Sequence, residues 1–121
     1  MNKLVKAVPK SDLYLEFVKT LNGILNLSNR QMELLACMIY IDVNTPKSTI
    51  KSKNVISAEN RKKLKSMTGI GFDNMCKYIK KFFKSGILVR GKVEDEVFVN
   101  KALIPDLIGD RVQITIILKA R

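Results

Sequence analysis

The stretch TGIGFDNMCKYIKKFFKSGIL, residues 68–88, decides the reading of this chain. Phe72, Met75, Ile79 and Phe82 recur at helical spacing and line one side, with Cys76 and Phe83 flanking that stripe. TGIG interrupts any helix before it, and Gly86 stands where a left-handed residue ends one. A helix over about 72–85 follows. Its opposite side exposes Asp73, Asn74, Lys77, Tyr78, Lys81 and Lys84. Either that side is made to lie on a polyanion, or it is the wet side of a small helical protein.

Upstream, Ser57 is placed to cap AENRKKLKSM, a short helix with apolar contacts Ala58, Leu64 and Met67. Before it, residues 42–56 read as a polar connector, because Pro46 forbids helix continuity. A brief strand is expected near Thr49–Ile50 or Val55–Ile56. SNRQMELLACMIYID opens on a capping-box spacing, Ser28 with Gln31. Met32, Leu35, Ala36, Ile39 and Tyr40 face one core, while Leu34, Met38 and Ile41 make the helix apolar on most sides, so it belongs near the centre. Further upstream, Ser11 or Asp12 caps a helix running to about Leu25, with Leu13, Phe17, Leu21 and Leu25 as its stripe and Gly23 weakening its end. LVKAV, within residues 3–8, is a candidate strand closed by Pro9.

Downstream, ILVRGKV and EVFVN alternate about KVEDE and read as a β-hairpin, KALIPDLIGD reads as a loop, and RVQITIILK as a final strand over about 111–119. In that strand Val112, Ile114, Ile116 and Leu118 share one face, and the run near Ile116 and Ile117 is apolar on both. An edge strand of this kind must pair. Its partner is either LVKAV of the same chain or the same strand of a second copy, which would suit a target with two half-sites.

The 121 residues, 46% of them apolar, suffice for one folded domain. The longest apolar run, Leu34 to Ile41, falls far short of the roughly 18 residues a membrane span needs. MNKLVKAVPKSD is too polar for a signal peptide, which predicts a cytoplasmic address, or a host cytoplasm or virion if the source is viral. Cys37 and Cys76 each fall in a helical apolar pattern and read as two buried thiols rather than a disulfide. With no histidine they make no ordinary zinc site. The net charge is +11, and residues 47–92 carry all of it, with thirteen Lys or Arg against Glu59 and Asp73. Such a segment predicts a polyanionic partner.

The order helix, short helix, glycine-bearing turn, helix, hairpin resembles a winged helix-turn-helix domain. The likeness covers about residues 28–100 and rests on LKSMTGIGFDNMCKYIKKFFKSGILVRG. Leu64, Gly69, Met75, Ile79, Phe82, Gly86 and Ile87 stand at the family's apolar and glycine positions. The expected fold is therefore α+β, mainly α with a small β-sheet. It has a helix-turn-helix over about 57–86, a wing over about 87–100, an added N-terminal helix and a C-terminal strand. The resemblance implies that helix 72–85 is a recognition helix for the major groove of double-stranded DNA. Asn74 would then read adenine, Lys77 reach guanine or a phosphate, and Tyr78 pack on a sugar or a thymine methyl. Lys81 and Lys84 would meet phosphates, and Arg61, Lys62 and Lys65 would add the backbone contacts that fix register.

Two features run against that mode. The wing tip Glu94–Glu96 is acidic, which leaves only Arg90 and Lys92 to reach the backbone, and Asp73 sits at the start of the recognition helix. Catalysis finds little support. There is no histidine for a general base, the carboxylates are scattered or confined to the exposed turn, and Gly69–Gly71 is turn punctuation rather than a phosphate cradle. No cofactor, metal or small-molecule ligand is expected. The function expected is non-enzymatic binding of double-stranded DNA by a small regulator of transcription or replication. The rival is an assembly protein, such as a phage virion component, that uses the same fold to dock on other subunits.

Overall fold

The computed structural model describes residues 3–46 and 52–121. Four helices, α1 (Leu13–Leu25), α2 (Asn29–Asn44), α3 (Ala58–Thr68) and α4 (Phe72–Lys84), are followed by strands β1 (Leu88–Arg90), β2 (Val97–Val99), β3 (Asp106–Ile108) and β4 (Arg111–Gln113). The strands form two separate antiparallel pairs, β1 with β2 and β3 with β4. The chain is thus α+β, mainly helical with little sheet. No helix among the described residues is long and apolar enough to cross a membrane.

The Ser28 capping box starts α2. Ser28 Oγ accepts from the Gln31 amide at 3.3 Å, and Gln31 Oε1 accepts from the Ser28 amide at 3.0 Å. The helix buries Met32, Leu34, Leu35, Ala36, Met38, Ile39 and Ile41, and packs against α1, α3 and β2. Tyr40 does not join that core; it is exposed and meets Tyr14 edge-on, ring centroids 6.2 Å apart. The helix also runs further than Pro46 suggested, taking in Asp42, which was expected in a polar connector. Asp42 is buried. Its Oδ2 accepts from the Val99 amide at 2.9 Å and its Oδ1 pairs with Lys53 Nζ at 2.7 Å. One carboxylate therefore ties the end of α2 to the second strand of the hairpin.

A turn of 3-10 helix, Lys10–Asp12, precedes α1, and neither Ser11 nor Asp12 caps it with a side chain. Asp12, at φ −103° and ψ 5°, continues that turn instead of taking the extended backbone a capping side chain requires. The helix buries Phe17 and Val18, while Leu13, Leu21 and Leu25 are half-buried, so its contact stripe is rotated toward Val18. At its other end the Asn22 amide brackets Leu27, accepting from its N–H at 2.7 Å and donating to its carbonyl at 3.0 Å.

Ser57 caps α3 as expected, accepting from the Asn60 amide at 3.1 Å. Leu64 is the helix's one buried side chain; Ala58 and Met67, expected to face the core, are exposed. Gly69, at φ 74°, ends α3. α4 buries Met75, Ile79 and Phe82. It closes in a Schellman motif: Ile87 N–H donates to the Phe82 carbonyl at 2.8 Å and Gly86 N–H to that of Phe83 at 3.2 Å, with Gly86 at φ 78°. The thiols differ from expectation. Cys76 lies beside the stripe and is exposed, and Cys37 is only half-buried. Burial, reinforced by the Glu33 carboxylate, pushes the Cys37 thiol above its ordinary value.

Leu88, Val97 and Val99 seat the β1–β2 hairpin on the core, and Asn100 fastens its end by donating from Nδ2 to the Gly86 carbonyl at 2.9 Å. The connector does pair, one residue before Val55–Ile56: Asn54 bridges Val97 in parallel, through Val97 N–H to the Lys53 carbonyl at 2.9 Å and Val55 N–H to the Val97 carbonyl at 3.1 Å. Val55 and Ile56 themselves are buried in the turn that follows. The expected strand at Thr49–Ile50 lies outside the described residues.

The C-terminal region departs furthest from the sequence reading. Residues 101–110 are not a plain loop but a 3-10 turn, Lys101–Leu103, followed by β3. Two residues, Gly109 and Asp110, join β3 to β4, with positive φ at Gly109 alone, the pattern of a type II′ turn. β4 spans three residues instead of 111–119, and residues 3–8 form no strand, so the expected pairing of the two ends is not made. Gln113 of β4 opposes Asp106. Beyond Pro105 on the partner side lies the 3-10 turn Lys101–Leu103, so the ladder has no strand to follow.

Candidate nucleic-acid interface

Four lysines of α4, Lys77, Lys80, Lys81 and Lys84, stand at i, i+3, i+4 and i+7, and all are exposed. That spacing puts them in one row opposite Met75, Ile79 and Phe82. From Lys77 to Lys84 the row runs about 10 Å along the helix axis. Asp73 and Asn74 are exposed in the first turn ahead of it. Tyr78, expected on the same outer face, is half-buried against the core. Lys80, missed at first, is the outer-face position instead. The signal is in the sequence: the buried positions Met75, Ile79 and Phe82 fix the helix phase, and Lys80 falls between Lys77 and Lys84 on the opposite side.

The neighbours of α4 add cations, each held in place. Lys65 Nζ of α3 lies 4.6 Å from the centroid of the Phe72 ring at the start of α4. Phe72 is accordingly 43% exposed instead of lying in the core as its spacing suggested. At the other end, the Arg90 guanidinium of β1 lies 4.6 Å from the centroid of Phe83. Phe72, Cys76 and Phe83 share one flank of α4, so these two cations frame the row from that side. On the opposite flank Lys81 Nζ donates to Gln31 Oε1 at 3.0 Å, the oxygen that also completes the α2 capping box. This brings the first turn of α2 alongside the row. Arg30, one residue earlier, has its guanidinium within 3.8 Å of where a side chain on Gly69 would begin. Arg30 was not anticipated, because it lies outside the basic segment and only the tertiary fold brings it near the turn between α3 and α4. Part of its charge is taken by Glu33 at 2.7 Å.

Not every expected contact residue is free. Arg61 Nε donates to the Ile56 carbonyl at 2.8 Å, and Arg61 is half-buried, so it holds the loop ahead of α3. Lys62 is exposed on α3, and Lys92 is exposed in the turn between β1 and β2. Among the described residues, none of Lys62, Lys65, Lys77, Lys80, Lys81, Lys84, Arg90 and Lys92 forms an ion pair with a carboxylate. Lys53 and Lys63, also in the basic segment, do, with Asp42 and Glu59.

The acidic turn is smaller than the sequence suggested. Glu94 and Asp95 are exposed, Asp95 at φ 62°, but Glu96 is buried and folded over Gly91. A Cβ on Gly91 would fall onto the Glu96 side chain, which would then have to swing aside. Two carboxylates, not three, face outward at the tip.

Two surface clefts among the described residues lie away from this face, lined by residues such as Tyr14, Tyr40 and Met67. No group of three or more Cys, Asp or Glu side chains among the described residues could hold a metal ion. Compared with protein-family models, curated proteins and solved structures, the chain matches none.

Proposed function

We propose that this chain is a winged helix-turn-helix protein that binds double-stranded DNA without catalysis, with α4 in the major groove, as a small regulator of transcription or replication. The observation that carries the reading is the row Lys77, Lys80, Lys81 and Lys84 on one face of α4 without a carboxylate partner. Its length of about 10 Å suits a groove about 12 Å wide. Lys65 and Arg90, held over aromatic rings on one flank near the two ends of α4, would meet phosphates along that flank. Asn74 and Lys77, in the N-terminal half of the helix, are the base-reading candidates. Lys62 and Lys92 extend the phosphate surface, while Arg61 and Tyr78 act mainly by holding their elements in place. The order of α2, α3, α4 and the β1–β2 hairpin supports the winged-helix assignment. A cytoplasmic, nucleoid or virion setting would each supply the polyanion.

The test is binding to mixed-sequence duplex DNA as salt is raised. Log K is expected to fall with log salt at about −0.9 per phosphate contacted, for several phosphates. Lys77→Ala with Lys81→Ala is expected to weaken binding by about 1 kcal/mol or more, from the contact energies of groove-reading side chains. No binding at low salt, or unchanged affinity in the double variant, refutes the assignment of α4.

A second reading, an assembly protein docking on other subunits, has one specific observation in its favour: an exposed apolar C-terminal segment.

A further inference from the structure

Residues 114–121 follow β4 directly, and no backbone hydrogen bond joins them to the rest of the described chain. The segment reads ITIILKAR. Ile114, Ile116 and Leu118 share one face as a strand would place them, and Ile117 adds an apolar residue between Thr115 and Lys119 on the other; Ile117 is 82% exposed and Leu118 91%. An apolar face of this kind is the pattern of a strand with one side covered. The same chain offers a complementary feature. Among the described residues β3 pairs only with β4, which leaves its other edge open, and Leu107 and Ile108 on it are 47% and 55% exposed.

Donor and acceptor cannot meet within one molecule. Residue 114 is the next residue after β4, which leaves no connecting residues for the chain to turn and cross to the far edge of β3. The continuation along the near edge is closed by the 3-10 turn, where the partner side stops being extended. In a second copy neither obstacle applies. Charge agrees with that occupant: the segment carries Lys119 and Arg121. The β3–β4 hairpin presents Asp106, which forms no ion pair among the described residues, while Asp110 already pairs with Arg111 at 3.7 Å. Added antiparallel to β3, the segment brings Lys119 toward Asp106.

We infer that residues 114–118 of one copy add as a strand to the open edge of β3 in a second copy, so that the protein self-associates through its C-terminal segment. The main-chain hydrogen bonds supply a general affinity, and Ile116, Ile117 and Leu118 against Leu107 and Ile108 supply the choice of partner. The contact joins two different surfaces. It closes as a reciprocal pair if each copy both gives and receives, and otherwise extends into a chain of copies. This inference stands apart from the DNA-binding reading, since none of its residues belongs to α4.

Sedimentation of the full chain across micromolar concentrations tests it, with circular dichroism to check that each variant folds. The wild type is expected to form dimers or larger species. The donor variant Ile117→Asp with Leu118→Asp, and separately the acceptor variant Leu107→Asp with Ile108→Lys, should each sediment as monomers. Mixed one to one, they should regain a dimer, because the acceptor variant keeps a normal segment and the donor variant a normal edge. A monomeric wild type overturns the inference. So does an acceptor variant that still associates, which would mean segment-to-segment pairing, and so does a mixture that stays monomeric.

Discussion

The two hairpins make the instructive contrast. Each has two three-residue antiparallel strands. Yet β1–β2 is part of the core and β3–β4 is nearly outside it. In β1–β2, Leu88, Val97 and Val99 are buried, Asp42 accepts from Val99, and the Lys53–Val55 backbone pairs with Val97 from the other side. In β3–β4 all of β3 is exposed, and only Val112 and the following Ile114 lean on the core. A two-stranded hairpin is marginal by itself. What packs on it, more than its own ladder, sets its stability and hence its use: one hairpin frames a basic surface, the other leaves an edge open.

The largest effect that would break the contrast is at Asp42. Asp42→Ala removes the acceptor of Val99 and strands the Lys53 ammonium, which is only 17% exposed. The expected loss is about 3–5 kcal/mol, typical of breaking a buried pair from one side. Urea unfolding measures it, and an unchanged midpoint would mean that β1–β2 does not depend on this tie.

A smaller effect is expected at Gly109. With φ at 64° but open space around it, Gly109→Ala meets backbone strain of about 1–2 kcal/mol and no clash. Because β3–β4 adds little to the core, the loss should stay local. Hydrogen exchange should quicken at the β4 amides and remain slow at Val99. Equal quickening in both hairpins would show that they unfold as one unit.

The smallest effect on stability is expected at the open edge. Leu107→Ser should change the unfolding free energy of the isolated chain by no more than about 0.5 kcal/mol, as for a surface position. Measured at low concentration, a substantially larger loss would place β3 within the core after all.

The thiols sharpen the same distinction between core and surface without altering stability. Cys37 is shielded and its thiol is pushed up by burial, so less thiolate is present at a given pH; Cys76 is open on α4. Iodoacetamide at mildly alkaline pH should label Cys76 first and Cys37 more slowly. The reverse order would contradict the placement of α2.

Local rules were legible in the sequence wherever one short segment carries both halves of the interaction. The Ser28–Gln31 capping box, the Ser57 cap, the Gly69 and Gly86 helix ends and the buried phase of α4 all depend on neighbours within one or two turns. The II′ turn at Gly109–Asp110 is equally local, although Pro105 and the short DLI run give its surroundings the look of a loop. The lysine row belongs to the same group, since helix phase alone places Lys77, Lys80, Lys81 and Lys84 together.

Tertiary structure decided the rest, because the deciding partner lies outside the helix or strand that carries the residue. Asp42 is charged and looks like connector until Val99, 57 residues away, takes its carboxylate. Arg61 looks like a phosphate contact until the Ile56 carbonyl takes its Nε. Lys65, Lys81 and Arg90 acquire fixed positions only from Phe72, Gln31 and Phe83. The C-terminal run has the composition of a strand, but composition gives only the capacity to pair. Pairing needs an open partner edge within reach, and within one chain the 3-10 turn before β3 and the absence of a connecting loop withhold it.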